Sequence, residues 1–297
     1  MKPERIAGPV AWLTGAILLA GCAAQPLPEA VTRLEGERRA LLPREVAESS
    51  GLALHQDEIW TLNDSGGQAQ IYRLDPQSGE VLSRRRVQDA INIDWEEMAA
   101  GRQQLHLLDC GNNLGRREWL QIYSLDWQEL RSTPASAAVP SRLLEFRFAD
   151  AEPETGAYRH NNDCEAAALV HNEIWVFTKN WLDQHTRLYR VDLNGPARQV
   201  LRAEARYPVN GLITAADYDE RRQQLVLLGY TRGRISSSAF VWTLPVEGNR
   251  PDWSQARRYS LAPAGQWEGV VWTEEGLLLS RESSLLGQAW LGTVHLP

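Results

Sequence analysis

Cysteine is scarce in this chain: three residues in 297, Cys22, Cys110 and Cys164, with no Cys-x-x-Cys pair. That spacing argues against a zinc site built from the thiols alone. Histidine is thin and scattered over six positions, and His-Glu-x-x-His, Gly-x-Ser-x-Gly and the Walker loop are all missing. The sequence therefore carries no ready metalloprotease, serine-hydrolase or P-loop signature. Positive charge is also in deficit, 31 Lys and Arg against 38 Asp and Glu. Such a chain is a poor partner for nucleic acid, whose backbone is bound through Lys and Arg that displace counterions. No segment forms a long amphipathic helix, and the apolar run from Val10 to Leu19 is too short to span a bilayer.

What the chain does have is a repeat. Five times one polar residue stands just ahead of an apolar strand: Ser50 in ESSGLAL, Glu96 in DWEEMAA, Glu165 in DCEAAAL, Thr214 in NGLITAADY and Glu268 in QWEGVVW. Each copy is followed by a second strand that ends in a polar cluster, as in EIWTLNDSGG, LHLLDCGNN, EIWVFTKNW, LVLLGYTRG and LLLSRES. A third strand of the type QIYRLD, QIYSLD or RLYRVD comes next. Alternating strands rich in Val, Ile, Leu, Tyr and Trp, bounded by Gly, Asp and Asn, favour β over helix throughout.

The marked residues are 46, 69, 49 and 54 apart. Antiparallel strands at this loose period predict an all-β protein, a β-propeller of five blades. A degenerate sixth blade, in the blade 2 insertion or in 246–261, is the alternative. The long spacing holds the Pro-, Ala- and Ser-rich stretch Ser132–Ser141, expected as an excursion between the third and fourth strands of blade 2. The last blade has only three strands before the chain stops, and exposed edges invite aggregation. The stretch Arg38–Leu42 is therefore expected to supply the outer strand of the last blade.

At the N-terminus Lys2 and Arg5 precede the apolar run, which closes on Leu19-Ala20-Gly21-Cys22. Charge, apolar core and small residues in that order form a secretion signal. Cys directly after Leu-Ala-Gly resembles the bacterial lipoprotein signal. The resemblance implies diacylation of Cys22, each buried CH₂ adding ~0.8 kcal/mol of membrane affinity. Ala23 in place of Asp after that Cys implies an outer-membrane lipoprotein facing the periplasm. Residues 1–21 are then the signal, 22–37 a polar tether and 38–297 one propeller domain, expected as a monomer. Removing the signal, whose Lys2, Arg5 and Glu4 leave +1, takes the formal charge from −7 to −8. In an oxidising envelope Cys110 and Cys164, both expected on one face near the axis, make either a disulfide between neighbouring blades or two free buried thiols.

In a propeller the starts of the first strands and the ends of the second strands share one face, so the repeated motifs converge on one axial mouth. The residues expected to bind a ligand there are Asn63, Asp64, Asp109, Asn112, Lys179, Arg232 and Arg281. Asp94, Asp163 and Glu282 lie at the same mouth, and His160 is a possible wall residue. Glu96, Glu165 and Glu268 are the expected ligands of a metal, and their oxygens suit a hard cation such as Ca²⁺. No other cofactor is indicated. Trp95 and Trp267, next to two of the heads, are candidates for an aromatic rim, with core packing as the alternative. For any single head, a hydrogen bond that holds the ring together competes with a role in binding.

The combination SSGLA, IWTLNDSG, NIDWEEMA, LLDCGNN, DCEAAAL, VFTK, ITAADYD, LLGY and WEGVVW resembles a group of secreted and lipid-anchored bacterial β-propellers. It is similar to the SdiA-regulated propellers and, more remotely, to phytase-like and calcium-activated nucleotidase propellers. The resemblance implies the fold and no particular reaction. Ser50 and Thr214 depart from the acidic heads of those relatives, which argues against a complete acidic ring. The leading expectation is a scaffold that binds a small ligand or an envelope protein at its mouth. The alternative is a Ca²⁺-dependent phosphoester or nucleotide hydrolase, with Lys179, Arg232 or Arg281 steering phosphate.

Overall fold

A computed structural model describes residues 32–152, 156–232, 237–285 and 287–297. The signal segment and Cys22 lie outside these residues. The inner strands of the five blades are Ser49–His55, Trp95–Ala100, Asp163–Val170, Leu212–Asp219 and Trp267–Trp272. Each leads by a tight turn into an antiparallel second strand: Glu58–Asn63, Gln104–Asp109, Glu173–Lys179, Gln224–Arg232 and Leu277–Arg281. Every inner strand packs against those of both neighbouring blades, and the fifth packs against the first. The chain is a five-bladed β-propeller, as the repeat predicts.

The apolar positions that alternate along these strands gather into five clusters, one in each gap between neighbouring blades. Trp60, Leu107 and Tyr123 fill the gap between blades 1 and 2, Phe146 and Val176 the next, then Trp175 and Leu227, then Val226 and Leu279, and finally Leu52 and Leu291. Burying both faces of each sheet supplies the main stabilisation, at about 25 cal/mol per Å² of apolar surface.

The ring closes where the sequence places the closure. Glu37–Leu41 runs antiparallel to Trp290–Val294 as the outer strand of blade 5. Arg33–Glu35, within the stretch read as tether, is also a strand, parallel to Arg257–Ala262 on blade 4. The Ser132–Ser141 excursion does more than loop out. Its Ala138–Val139 pairs in parallel with Val81–Val87 on the edge of blade 1. Arg198–Leu201 does the same for the outer strand Arg142–Phe148 of blade 2. Passing chain thus covers outer edges that would otherwise be open to pairing. The 246–261 stretch forms a hairpin and the outer strand of blade 4, so no sixth blade arises. Among the described residues no helix is long and apolar enough to cross a membrane.

The five repeated polar residues share one backbone feature. In every blade the pairing of first and second strands skips one residue, and the skipped residues are Ser50, Glu96, Glu165, Thr214 and Glu268. A β-bulge leaves its extra residue out of the ladder and re-aims its side chain. The repeat in the sequence is therefore the trace of five bulges.

The acidic axial mouth

The five bulge residues divide by chemistry. The two hydroxyls tie blades together: Ser50 Oγ donates to the carbonyl of Trp95 at 2.9 Å, and Thr214 Oγ1 to that of Trp267 at 2.8 Å. The three carboxylates, Glu96, Glu165 and Glu268, gather at the axial mouth with Asp64, Asp94 and Glu282, as their mutual electrostatic effects show.

Second-strand ends and loops fix the surrounding groups. Asp109 takes the backbone N–H of Asp94 at 3.0 Å and pairs with Arg117 at 2.8 Å. Asp163 accepts from the Asn112 backbone and from the Trp181 indole, both at 2.7 Å. The Asn112 side chain bridges Arg117 and Asn162, and the Asn63 amide donates to the Glu45 carbonyl at 2.7 Å. Asn63, Asp109 and Asn112, expected to touch a ligand, thus all bond loop backbone, while Asn63 Oδ1 stays buried without a partner among the described residues. Arg281 stands apart, buried against Gly265 and over the Trp290 ring. Gly111 packs so closely on the acidic group that an added Cβ would fall on Glu96 Oε1 and Asp94 Oδ2.

Lys179 is the cation of the mouth. Apart from Lys2 it is the only lysine in a chain that otherwise uses arginine. Its Nζ meets Glu165 Oε2 at 2.9 Å and lies over the rings of Trp181 and Tyr230, 5.0 and 5.5 Å from their centroids. A compact ammonium fits this cage where a planar guanidinium would not. Burial opposes its charge, but the carboxylates of Glu165 and Glu268 outweigh burial and hold it well above its usual value.

One lysine does not balance so many acids. Burial, then the charges of Asp64 and Asp163, push Asp94 up to about 7. Burial likewise lifts Glu268 to about 7, and burial with Glu268 and Asp64 nearby lifts Glu282 to about 9. The folded protein therefore binds more protons than the unfolded chain, whose carboxyls titrate near about 4. Stability should be greatest near the ordinary carboxylate range and fall as pH rises through 7 towards 9. Thermal melts across this range check it, and Glu282→Gln should flatten the upper part of the decline. A melting temperature that rises from pH 5 to pH 9 would contradict this charge balance.

The aromatic rim lies elsewhere than beside the heads. Trp95 and Trp267 are 0 % and 1 % exposed, their indoles donating to the carbonyls of Ile91 and Pro263, so both are core. The rim is Trp181, edge-on to the exposed Tyr158 at 4.9 Å and carrying Arg232 over its ring at 5.0 Å. Trp181 closes the strand motif EIWVFTKNW, a position that could have marked it in the sequence. His160 is fully buried and bonds the Asn113 carbonyl and the Asn162 N–H, a loop post rather than a wall. Sequence reading also missed Glu97. Fully buried, it accepts from Met98 N at 2.9 Å and from Ala216 N at 3.0 Å, crossing the axis from blade 2 to blade 4. Beyond it, the other end of the channel opens into a depression of about 1250 Å³ lined by Leu52, Met98, Leu169 and Trp272.

Fold and site together define a five-bladed propeller with an acidic axial mouth. The sequence matches no protein-family profile and no curated protein. Among solved structures it is similar to the exo-β-1,3-galactanase of Phanerochaete chrysosporium with bound β-1,3-galactotriose, at TM-score 0.54 and 10% identity, over 86% of this chain and 63% of that one. The same enzyme with galactose gives TM-score 0.52 at 10% identity, over 82% and 60%. The α-L-arabinofuranosidase of Podospora anserina is similar at TM-score 0.48 and 7% identity, over 89% and 96%. The chain spans less than two thirds of the galactanase. At such identities the likeness is one of fold.

Proposed function

We propose that this protein is a lipid-anchored propeller of the bacterial outer membrane, facing the periplasm, that binds a ligand bringing positive charge or hydrogen-bond donors to the axial mouth. One observation carries the reading: the mouth offers acceptors that the fold leaves without donors. Glu96 makes no hydrogen bond to the described residues although it is 6 % exposed, and Glu165 Oε1 is buried without a partner. Buried acceptors of this kind are costly unless something donates to them. Trp181, Tyr158 and Arg232 form the wall such a ligand would pass. Acyl chains on Cys22 would supply the anchor.

The test is a thermal-shift panel of amines, polyols, amino sugars and metal ions on the full-length protein in detergent. At least one donor-rich ligand should raise the melting temperature of the wild type and fail to do so in Glu96→Gln. A panel without any shift would refute the reading. Labelling with a radioactive fatty acid, lost in Cys22→Ala, checks the anchor.

A hydrolytic reading of the same mouth is favoured by one feature, the carboxyls of Asp94 and Glu268, which burial pushes up to about 7 within one acidic cluster. Groups so placed serve as general acids and bases. Phosphate esters, nucleotides and β-1,3-galactans, assayed with and without Ca²⁺, form the matching panel. Turnover lost in Glu268→Gln would establish this reading over plain binding.

A further inference from the structure

The oxygens of Asp64, from blade 1, come together with those of Asp94 and Glu96, at the head of the inner strand of blade 2. One oxygen from each lies within 4.8 Å of the others. Two oxygens bound to a calcium ion at about 2.4 Å lie at most about 4.8 Å apart, so this spread suits one hard cation. The arrangement is built rather than incidental. Asp64 follows the second strand of blade 1, where Asn92 clamps the Asn63 and Asp64 carbonyls at 3.1 and 2.7 Å. Asp94 is fixed through its N–H to Asp109 and its carbonyl to Gly111 N at 3.0 Å. Glu96 is turned to the axis by its bulge. The absent side chain of Gly111 leaves room for both Asp94 and Glu96.

A second observation, independent of the triad, points to a ligand. Glu165, 3 % exposed, gives Oε2 to Lys179 and leaves Oε1 buried without a donor. Glu96 and Glu165 are the bulge residues of neighbouring inner strands that pack against each other, so their carboxylates stand side by side at the axis. Lys179 directly contacts Glu165, Trp181 and Tyr230 and hydrogen-bonds none of the three acids.

We propose that Asp64, Asp94 and Glu96 hold one hard divalent cation at the mouth, with Glu165 Oε1 facing it. This rests on the reading of the mouth as a ligand site and names one ligand of it. It also moves the metal away from the sequence expectation of Glu96, Glu165 and Glu268: Glu165 is taken up by Lys179, and Glu268 lies outside the triad. The donors are all oxygens, which selects against zinc and favours a calcium-like ion.

The experiment uses full-length protein in detergent, stripped with a chelator and titrated with Ca²⁺ while its melting temperature is followed. A saturable rise with a midpoint at or below about 1 mM is expected. Glu96→Gln and Asp94→Asn should weaken the midpoint about 10-fold or more, whereas Glu58→Gln, on the outside of blade 1, should not. Should the acidic variants fail to fold, Tb³⁺ luminescence excited through tryptophan provides a readout on the unsubstituted protein, with displacement by Ca²⁺ expected. No Ca²⁺ response, a response to Zn²⁺ alone, or a Ca²⁺ response unchanged in both variants would overturn the proposal. Repeating the organic-ligand panel in excess chelator separates the two readings. A ligand that still binds there keeps the mouth as a ligand site without the metal, and a Ca²⁺ response with no organic ligand keeps the metal alone.

Discussion

Replacing Lys179 by methionine is expected to destabilise the protein by about 3–5 kcal/mol, the cost of removing one partner of a buried ion pair. For a chain of this size that is a fall in melting temperature of roughly 10 °C. The reason lies in the counting of charges at the mouth. Lys179 is the cation that Glu165 touches, and Glu268 also feels it. Without it these acids face one another in a poorly solvated space and must take up protons. The loss should therefore be smaller at acidic pH than at pH 8, because protonated carboxyls no longer need the ammonium. Pairing the change with Glu165→Gln should recover part of the loss, and a double-mutant cycle measures the coupling. Calorimetric melts of the four proteins at two pH values test the whole claim. Full additivity would mean that the pair does not act as a unit.

Breaking the disulfide should have a comparable effect. Cys110 and Cys164 are bonded, with Cα atoms 5.3 Å apart and a sequence separation of 54. Closing a loop of that length removes about 4 kcal/mol of chain entropy from the unfolded state. Cys110 follows the second strand of blade 2 and Cys164 opens the inner strand of blade 3, so the bond staples two blades beside the mouth. Cys110→Ser with Cys164→Ser, or thiol reduction of the wild type, should lower the melting temperature by roughly 10 °C. Reduction should have no further effect on the double variant. A double variant that melts with the wild type would show that blade packing alone holds this seam.

Much of the fold was legible because it rests on local patterns that recur. Alternation of apolar and polar residues, turn residues at regular intervals and the incomplete last blade led to five blades and to closure by the segment after residue 37. Even the marked residues were visible as a set, since a bulge in each blade puts the same kind of residue at the same step. The strand at 33–35 and the pairing of Ala138–Val139 with blade 1 were not legible. Both are short and depend on an edge offered by a different blade, which local periodicity cannot register.

The site was legible only as a list. Sequence placed Asn63, Asp109 and Asn112 beside Asp64 and Lys179 on equal terms, because all are polar residues at strand ends. Tertiary contacts separated them: the first three find backbone partners in neighbouring loops, while Asp64 comes to rest against Asp94 and Glu96. Trp95 and Trp181 show the same sorting. Both stand near a mouth motif, but the chain direction at Trp95 turns its ring into the gap between blades 1 and 2.

By itself, then, the sequence determined that this is a propeller, favoured five blades over six, and marked the closing strand and one polar residue per blade, since each follows from short-range pattern and strand geometry; that six blades do not form and that the marked residues are bulges came from the pairing. Which of those residues became staples and which became an uncompensated acidic group was decided by the ring. The reason is that a carboxylate's role depends on the charges and donors brought to it by other strands. Here Lys179 comes to Glu165 from the second strand of its own blade, Asp64 comes to Glu96 from blade 1, and among the described residues no donor reaches Glu165 Oε1.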